Sequence, residues 1–139
     1  MIVSLVRKDD IELFYPAIYD YMDKCSKYTF GRFDADDIKN HLLTKEQQLW
    51  IAYEDNVIYG AVVTEITQYP KFNALTMHFT GGIKLPKWKQ AMLKTLQRFA
   101  KDTGCMVIES YGRTGWGKVF KQDGYEPLLT FYELPVEEV

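Results

Sequence analysis

The sequence predicts an α+β domain of three layers: a mixed, mostly antiparallel sheet with helices on both faces. Three observations predict it. The order of hydrophobic periods reads strand, helix, helix, three strands, helix, strand, helix, strand. The middle strands sit close enough together to form an antiparallel meander. The strand, helix, strand sequence after them is a crossover, which places its two strands parallel and beside one another.

Each element has its own signal. Ile2 to Val6 is a short apolar opening strand. "DDIE" (Asp9 to Glu12) opens a helix with acid in its first turn, and Ile11, Phe14, Ile18 and Met22 recur at helical spacing. Pro16 either kinks this helix or marks where its regular part begins. "KYTFGRF" is a loop turning at Gly31. Asp34 or Asp36 caps a second helix carrying Ile38, Leu42 and Leu43. From Leu49 the period becomes that of strands. "LWIAYEDNVIYGAVVTEITQYP" is a hairpin around Glu54-Asp55-Asn56, ended by Pro70. Phe72 to Thr80 is the next strand, closed by a Gly81-Gly82 turn. "LPKWKQAMLKTLQRFAKDTG" is the clearest helix, with Pro86 in its first turn, a stripe of Trp88, Met92, Leu96 and Phe99, and Gly104 as its left-handed stop. "CMVIES" is a strand, Trp116 to Gln122 a short helix stopped by Gly124, and "PLLTFYELPV" the final strand. "VEEV" is an acidic tail.

The 139 residues suffice for one core, so the chain reads as one domain over residues 1–139. A hydrophobic fraction of 47% with ten Tyr, eight Phe and three Trp supports a packed domain rather than a disordered one. The net charge of −2 argues against nucleic acid as a partner. No apolar run approaches membrane-spanning length, and the apolar start is too short for a signal peptide. Cys25 and Cys105 have no metal-ligand spacing, so no metal site is expected; two free thiols in a reducing, cytoplasmic compartment are.

The order of elements, with Gly81-Gly82, Trp88, Gly104-Cys105, Gly112-Arg113-Thr114-Gly115-Trp116 and Gly124-Tyr125, resembles the GCN5-related N-acetyltransferase (GNAT) fold. Within it, the chain looks similar to small acetyltransferase-like proteins of tailed bacteriophages and prophages. The Val63 to Ile66 run followed by Tyr69-Pro70 fits the same group. The resemblance implies that the Phe72 to Thr80 strand and the "CMVIES" strand are parallel and splay apart. Acetyl-CoA would enter the gap, its pyrophosphate on the turn before the long helix. It also implies cytoplasmic location in a bacterial host, with virion association as an alternative, and dimerisation through the last strands.

Acetyl transfer to an amine needs a held thioester, a base for the amine, and a proton for the departing thiolate. For holding, the resemblance points to Phe79, Thr80, Gly81 and Gly82, with Lys87 near the helix start and Arg113 at the mouth of the splay. The turn "FTGGIKLPKWKQ" departs from the family's Gln/Arg-x-x-Gly-x-Gly/Ala spacing, and Pro86 deletes one amide donor. Lys84, Lys87 and Lys89 crowd a helix N-terminus, where the dipole disfavours cations. An anionic ligand explains that, and so does a solvated basic face continuing through Lys94, Arg98 and Lys101. Arg113 equally suits a phosphate, a carboxylate or a surface acid.

For the base, Glu65 on a central strand and Glu109 are the candidates, with His78 beside the splay as a proton carrier near neutral pH. The plain alternatives are a Glu65 paired with a lysine and a hydrogen-bonded structural His78. For the acid, the family's usual tyrosine position holds Phe120, which has no proton to give. Tyr111 is taken as its substitute, with Tyr125 as the other hydroxyl in reach. Two functions follow: an N-acetyltransferase acting on an amine-bearing small molecule or protein, or a non-catalytic protein of the same fold that binds a virion or host partner.

Overall fold

The computed structural model describes residues 1–111 and 117–137, with the backbone alone of Gly117, Lys118 and Phe120. Strand β1 (Ile2–Val6) leads through a 3-10 turn (Lys8–Asp10) into helix α1 (Ile11–Ser26), followed by α2 (Ala35–Thr44). Strands β2 (Gln47–Glu54), β3 (Val57–Gln68) and β4 (Asn73–Gly82) follow, then α3 (Leu85–Asp102), β5 (Cys105–Ser110) and α4 (Gly117–Gln122). The sheet has the order β1-β2-β3-β4-β5. Its first three pairings are antiparallel and β4-β5 is parallel, as a crossover through α3 requires.

Two cores sandwich the sheet. On one face Ile11, Tyr15, Ile18 and Met22 of α1, with Ile38 and Leu42 of α2, pack on Leu49, Ile51, Val63 and Phe79. On the other, Trp88, Met92, Leu96 and Ala100 of α3 pack on Trp50, Val62 and Leu75. The predicted α3 stripe is therefore its buried face. Thr64 is buried in the second core because Trp50 Nε1 donates to its hydroxyl (2.9 Å), which donates on to Gln48 Oε1 (2.8 Å).

Local signals resolved the open choices. Pro16 lies inside a continuous α1 that starts at Ile11. Asp34, not Asp36, caps α2 in a reciprocal capping box with Asp37. The hairpin turns at Asp55 and Asn56, both with positive φ.

Two expectations need correction. Gly81 and Gly82 belong to β4 rather than to a turn; the turn is Ile83-Lys84, and Lys84 takes the left-handed conformation that starts α3. Their lack of side chains serves packing. A Cβ on Gly81 would lie 2.6 Å from the Tyr21 carbonyl oxygen, and one on Gly82 would collide with the Tyr59 carbonyl. The stretch "PLLTFYELPV" is not a strand. It runs as an exposed arm, and β5 has no partner on its outer edge among the described residues. Strand propensity does not make a strand without an edge to pair with, and this arm leaves the sheet. Last, α4 begins at Gly117; Trp116, expected to dock it, lies outside the described residues, as do Gly112, Arg113 and Gly115.

Candidate active site

The parallel ladder is short. It runs from Asn73↔Cys105 to Met77↔Ser110 and stops, while β4 continues to Gly82 paired, among the described residues, only with β3. The strands part at that point, and a cavity of about 790 Å³ fills the gap. His78, Phe79, Thr80, Gly81 and Gly82 form one wall, Ser110 and Tyr111 the other. Trp88 and Met92 close it on the α3 side. Tyr28, Phe30 and Phe33, around the α1-α2 turn, close it opposite.

A register shift between Val63 and Thr64 sets the direction of His78. Val63 pairs with Phe79 and Thr64 with Met77, so His78 is the extra residue of a β-bulge. Its Nε2 lies 2.8 Å from Glu65 Oε1. Both side chains are about one third exposed (28% and 32%), and His78 of the two lines the cavity. Glu65 has no lysine or arginine partner among the described residues, contrary to the plainer expectation.

Glu109 stands one register position across from Thr76, which in turn pairs with Glu65, so the two carboxylates flank β4. Its Oε1 accepts from the Tyr69 hydroxyl (2.6 Å) and from Thr76 Oγ1 (2.8 Å). Thr67 therefore donates to Thr76 at 2.7 Å. The hydrogen bond to Glu109 raises the Tyr69 phenol to about 12.

The two substitute hydroxyls differ in setting. Tyr111 is exposed at the open end of β5. The Tyr125 hydroxyl donates to Met77 Sδ at 3.3 Å, at the last rung of the parallel ladder, and burial raises its pKa. Both line the cavity.

The cations near α3 are mostly committed. Lys87 reaches away from the cavity to Glu54 Oε2 (2.9 Å) over the ring of Tyr59. That carboxylate raises the Lys87 pKa, and Lys87 lowers that of Glu54. Lys89 lines the cavity but pairs with the buried Asp123 (3.2 Å), which also accepts from Gln90. Lys84 has no carboxylate partner among the described residues. It lies 5.9 Å from the centre of the Tyr59 ring. Arg113 lies outside the described residues.

Sequence reasoning missed Asp123 and the aromatic collar Tyr28, Phe30 and Phe33. The collar depends on the α1-α2 turn folding over the gap, and Asp123 on meeting Lys89 and Gln90 of α3, neither of which a local pattern announces. Among the described residues, no helix is long and apolar enough to cross a membrane.

No protein-family model matches the sequence, and no curated protein matches it either. Solved structures do match. A probable acetyltransferase superposes with a TM-score of 0.72 at 13% identity, covering 99% of both chains. An aminoglycoside acetyltransferase from an uncultured soil metagenomic sample gives 0.71 at 13% identity, with 98% of each chain covered. A predicted acetyltransferase from Clostridium acetobutylicum, solved with acetyl-CoA, gives 0.69 at 16% identity, covering 96% of this chain and 95% of the other. The five-stranded mixed sheet with its parallel β4-β5 pair is the GNAT fold.

Proposed function

We propose that the protein is an N-acetyltransferase that takes its acetyl group from acetyl-CoA and passes it to an amine. The observation that carries this reading is the early end of the β4-β5 ladder beside a cavity walled by β4 main chain. Acetyl-CoA supplies an activated acyl group. The residues fit its slender arm: beyond Met77, β4 has no partner strand on the β5 side among the described residues, which leaves edge groups to hydrogen-bond along an extended chain. Phe79, Thr80, Gly81 and Gly82 hold that arm. At the phosphate end we assign Lys84 and Arg113; Lys87, expected there, is held by Glu54 instead.

His78 takes the proton from the amine, and Glu65 orients it. With Nε2–H donated to Glu65, the Nδ1 lone pair is left to accept. Tyr111 or Tyr125 returns a proton to the departing thiolate, in place of Phe120. The acceptor amine enters between the α1-α2 turn and β5. An aminoglycoside acetyltransferase and a ribosomal-protein-alanine N-acetyltransferase both share the fold, which supports an amine acceptor on either a small molecule or a protein. The order of the glycine and tryptophan motifs supports a phage or prophage origin, and the two free thiols support a bacterial cytoplasm.

Thermal melting with acetyl-CoA tests the reading. At a hundred times Kd, a ligand that binds only the folded state adds about 2.7 kcal/mol, a shift of several degrees. No shift at millimolar concentration sinks the enzyme and favours a non-catalytic virion or host-interaction protein. If the shift is present, Glu65→Gln retains it but loses about 10²-fold or more in turnover.

A further inference from the structure

Three aromatic rings from distant parts of the chain stand exposed where they line the cavity. Phe30 (78% exposed) lies on the α1-α2 turn, Tyr111 (66%) at the end of β5, and Phe131 (66%) on the arm that follows α4. Exposed rings gathered around a concavity mark a surface that a ligand covers. The turn is held in shape. Thr29 Oγ1 donates to the Ser26 carbonyl (2.7 Å) and accepts from the Phe33 amide (3.1 Å). Phe30 lies within it with a left-handed backbone (φ +55°), a conformation uncommon for a residue with a large ring. Arg32 brings Phe131 in. Its guanidinium lies 5.3 Å from the centre of that ring, while its Nη2 donates to Glu133 Oε1 (2.6 Å). From the turn the rings lead inward. Phe33 meets Phe79 edge to face with centres 5.2 Å apart, and the Phe79 ring lies 6.2 Å from that of His78.

The charges at the same cavity are the wrong sign for a polycation. Lys24, Arg32 and Lys89 line it, against Asp123 as the one carboxylate among the described lining residues. Asp123 is taken by Lys89 and Gln90. Glu65 and Glu109 stand outside the lining, the first on His78 and the second on the Tyr69 and Thr76 hydroxyls. Resting on the acetyltransferase reading, we propose that the acceptor is a small arylalkylamine: one primary amine on a short apolar chain that ends in an aromatic ring. Its ring lies among Phe30, Phe33 and Phe131, and its nitrogen reaches His78. The C–N bond forms at that nitrogen as the thioester C–S bond breaks. His78 receives the amine proton, and the thiolate receives one from Tyr111 or Tyr125. A second ammonium on the acceptor meets Lys24 and Arg32 instead of a carboxylate, so polyamines and aminoglycosides are rejected by charge.

Rates of CoA thiol release test this on the full-length chain, with acetyl-CoA and, in turn, 2-phenylethylamine, ethylamine, spermidine, kanamycin and a peptide with an N-terminal alanine. The expected kcat/KM for 2-phenylethylamine exceeds each of the others at least tenfold, the discrimination that burying a ring supplies. Phe30→Asn keeps a residue that tolerates the left-handed backbone, at a position exposed enough to leave the fold intact. It lowers the ratio of 2-phenylethylamine to ethylamine severalfold while the melting shift with acetyl-CoA persists. A preference for spermidine, kanamycin or the peptide overturns the inference and leaves the acetyltransferase reading standing. So does a ratio that Phe30→Asn does not move. A melting shift without thiol release from any of the five amines also overturns it, leaving only the acetyl-CoA site. Absence of both the shift and the release overturns the acetyltransferase reading itself, and the inference with it.

Discussion

Met77 belongs to the α3-side core and Phe79 to the α1-side core, two residues apart on one strand. In a regular strand they would share a face. The bulge at His78 switches the face between them and delivers the imidazole to Glu65. Both residues were legible as candidates because a carboxylate and an imidazole on central strands are costly without a purpose. Their pairing was not, since a one-residue shift of register has no signature in periodicity. The neighbouring Tyr69–Glu109 pair gives a direct measurement. Ultraviolet phenol titrations of the wild type and Glu109→Gln should differ by one tyrosine, its ionisation moving from about 12 toward 10. The folded pKa is raised above the unfolded one. The stabilisation is therefore complete below pH 10 and disappears as the pH rises through the folded value.

Glycine makes a sharper prediction at this scale. A Cβ at Gly60 would enter the indole of Trp88, which is buried and fixed by its Nε1 donating to the Ile83 carbonyl (2.9 Å). Gly60→Ala should cost about 1–3 kcal/mol in chemical denaturation, the usual range for overpacking. Gly31→Ala meets nothing within 4 Å; its φ of +80° leaves only the cost of a left-handed backbone, on the order of 1 kcal/mol.

Elements with self-contained signals were readable, and those that depend on a neighbour were not. Helix α2 announces itself through Asp34, whose side chain accepts from the Asp37 amide at 2.8 Å while Asp37 accepts from the Asp34 amide at 3.0 Å. Asp34→Ala removes the first half of that exchange and leaves the second, because residue 34 keeps its amide, and should lower stability by about 1 kcal/mol, read from the denaturant midpoint. Helix α3 was equally plain from its stripe. The lysines at its start were ambiguous, because their partners Glu54 and Asp123 lie far away in sequence. The final strand failed for a related reason. Alternation and β-branching describe a segment fit for a sheet, but pairing needs an edge within reach, and Arg32 holds this arm elsewhere.

At the scale of the whole molecule, strand β5 forms one wall of the cavity and, among the described residues, carries no partner on its outer edge. Dimerisation through the last strands, which the resemblance implies, would make the melting point depend on protein concentration, because dilution favours unfolding to two separate chains. Between two concentrations a hundredfold apart, mass action supplies about 2.7 kcal/mol per dimer. Spread over the unfolding entropy of two 139-residue chains, that raises Tm by roughly 5 °C. Calorimetry at the two concentrations should show this rise for the wild type and none for the chain carrying Tyr132→Glu and Leu134→Glu. A concentration-independent wild type would mean that the arm lies bare or folds back.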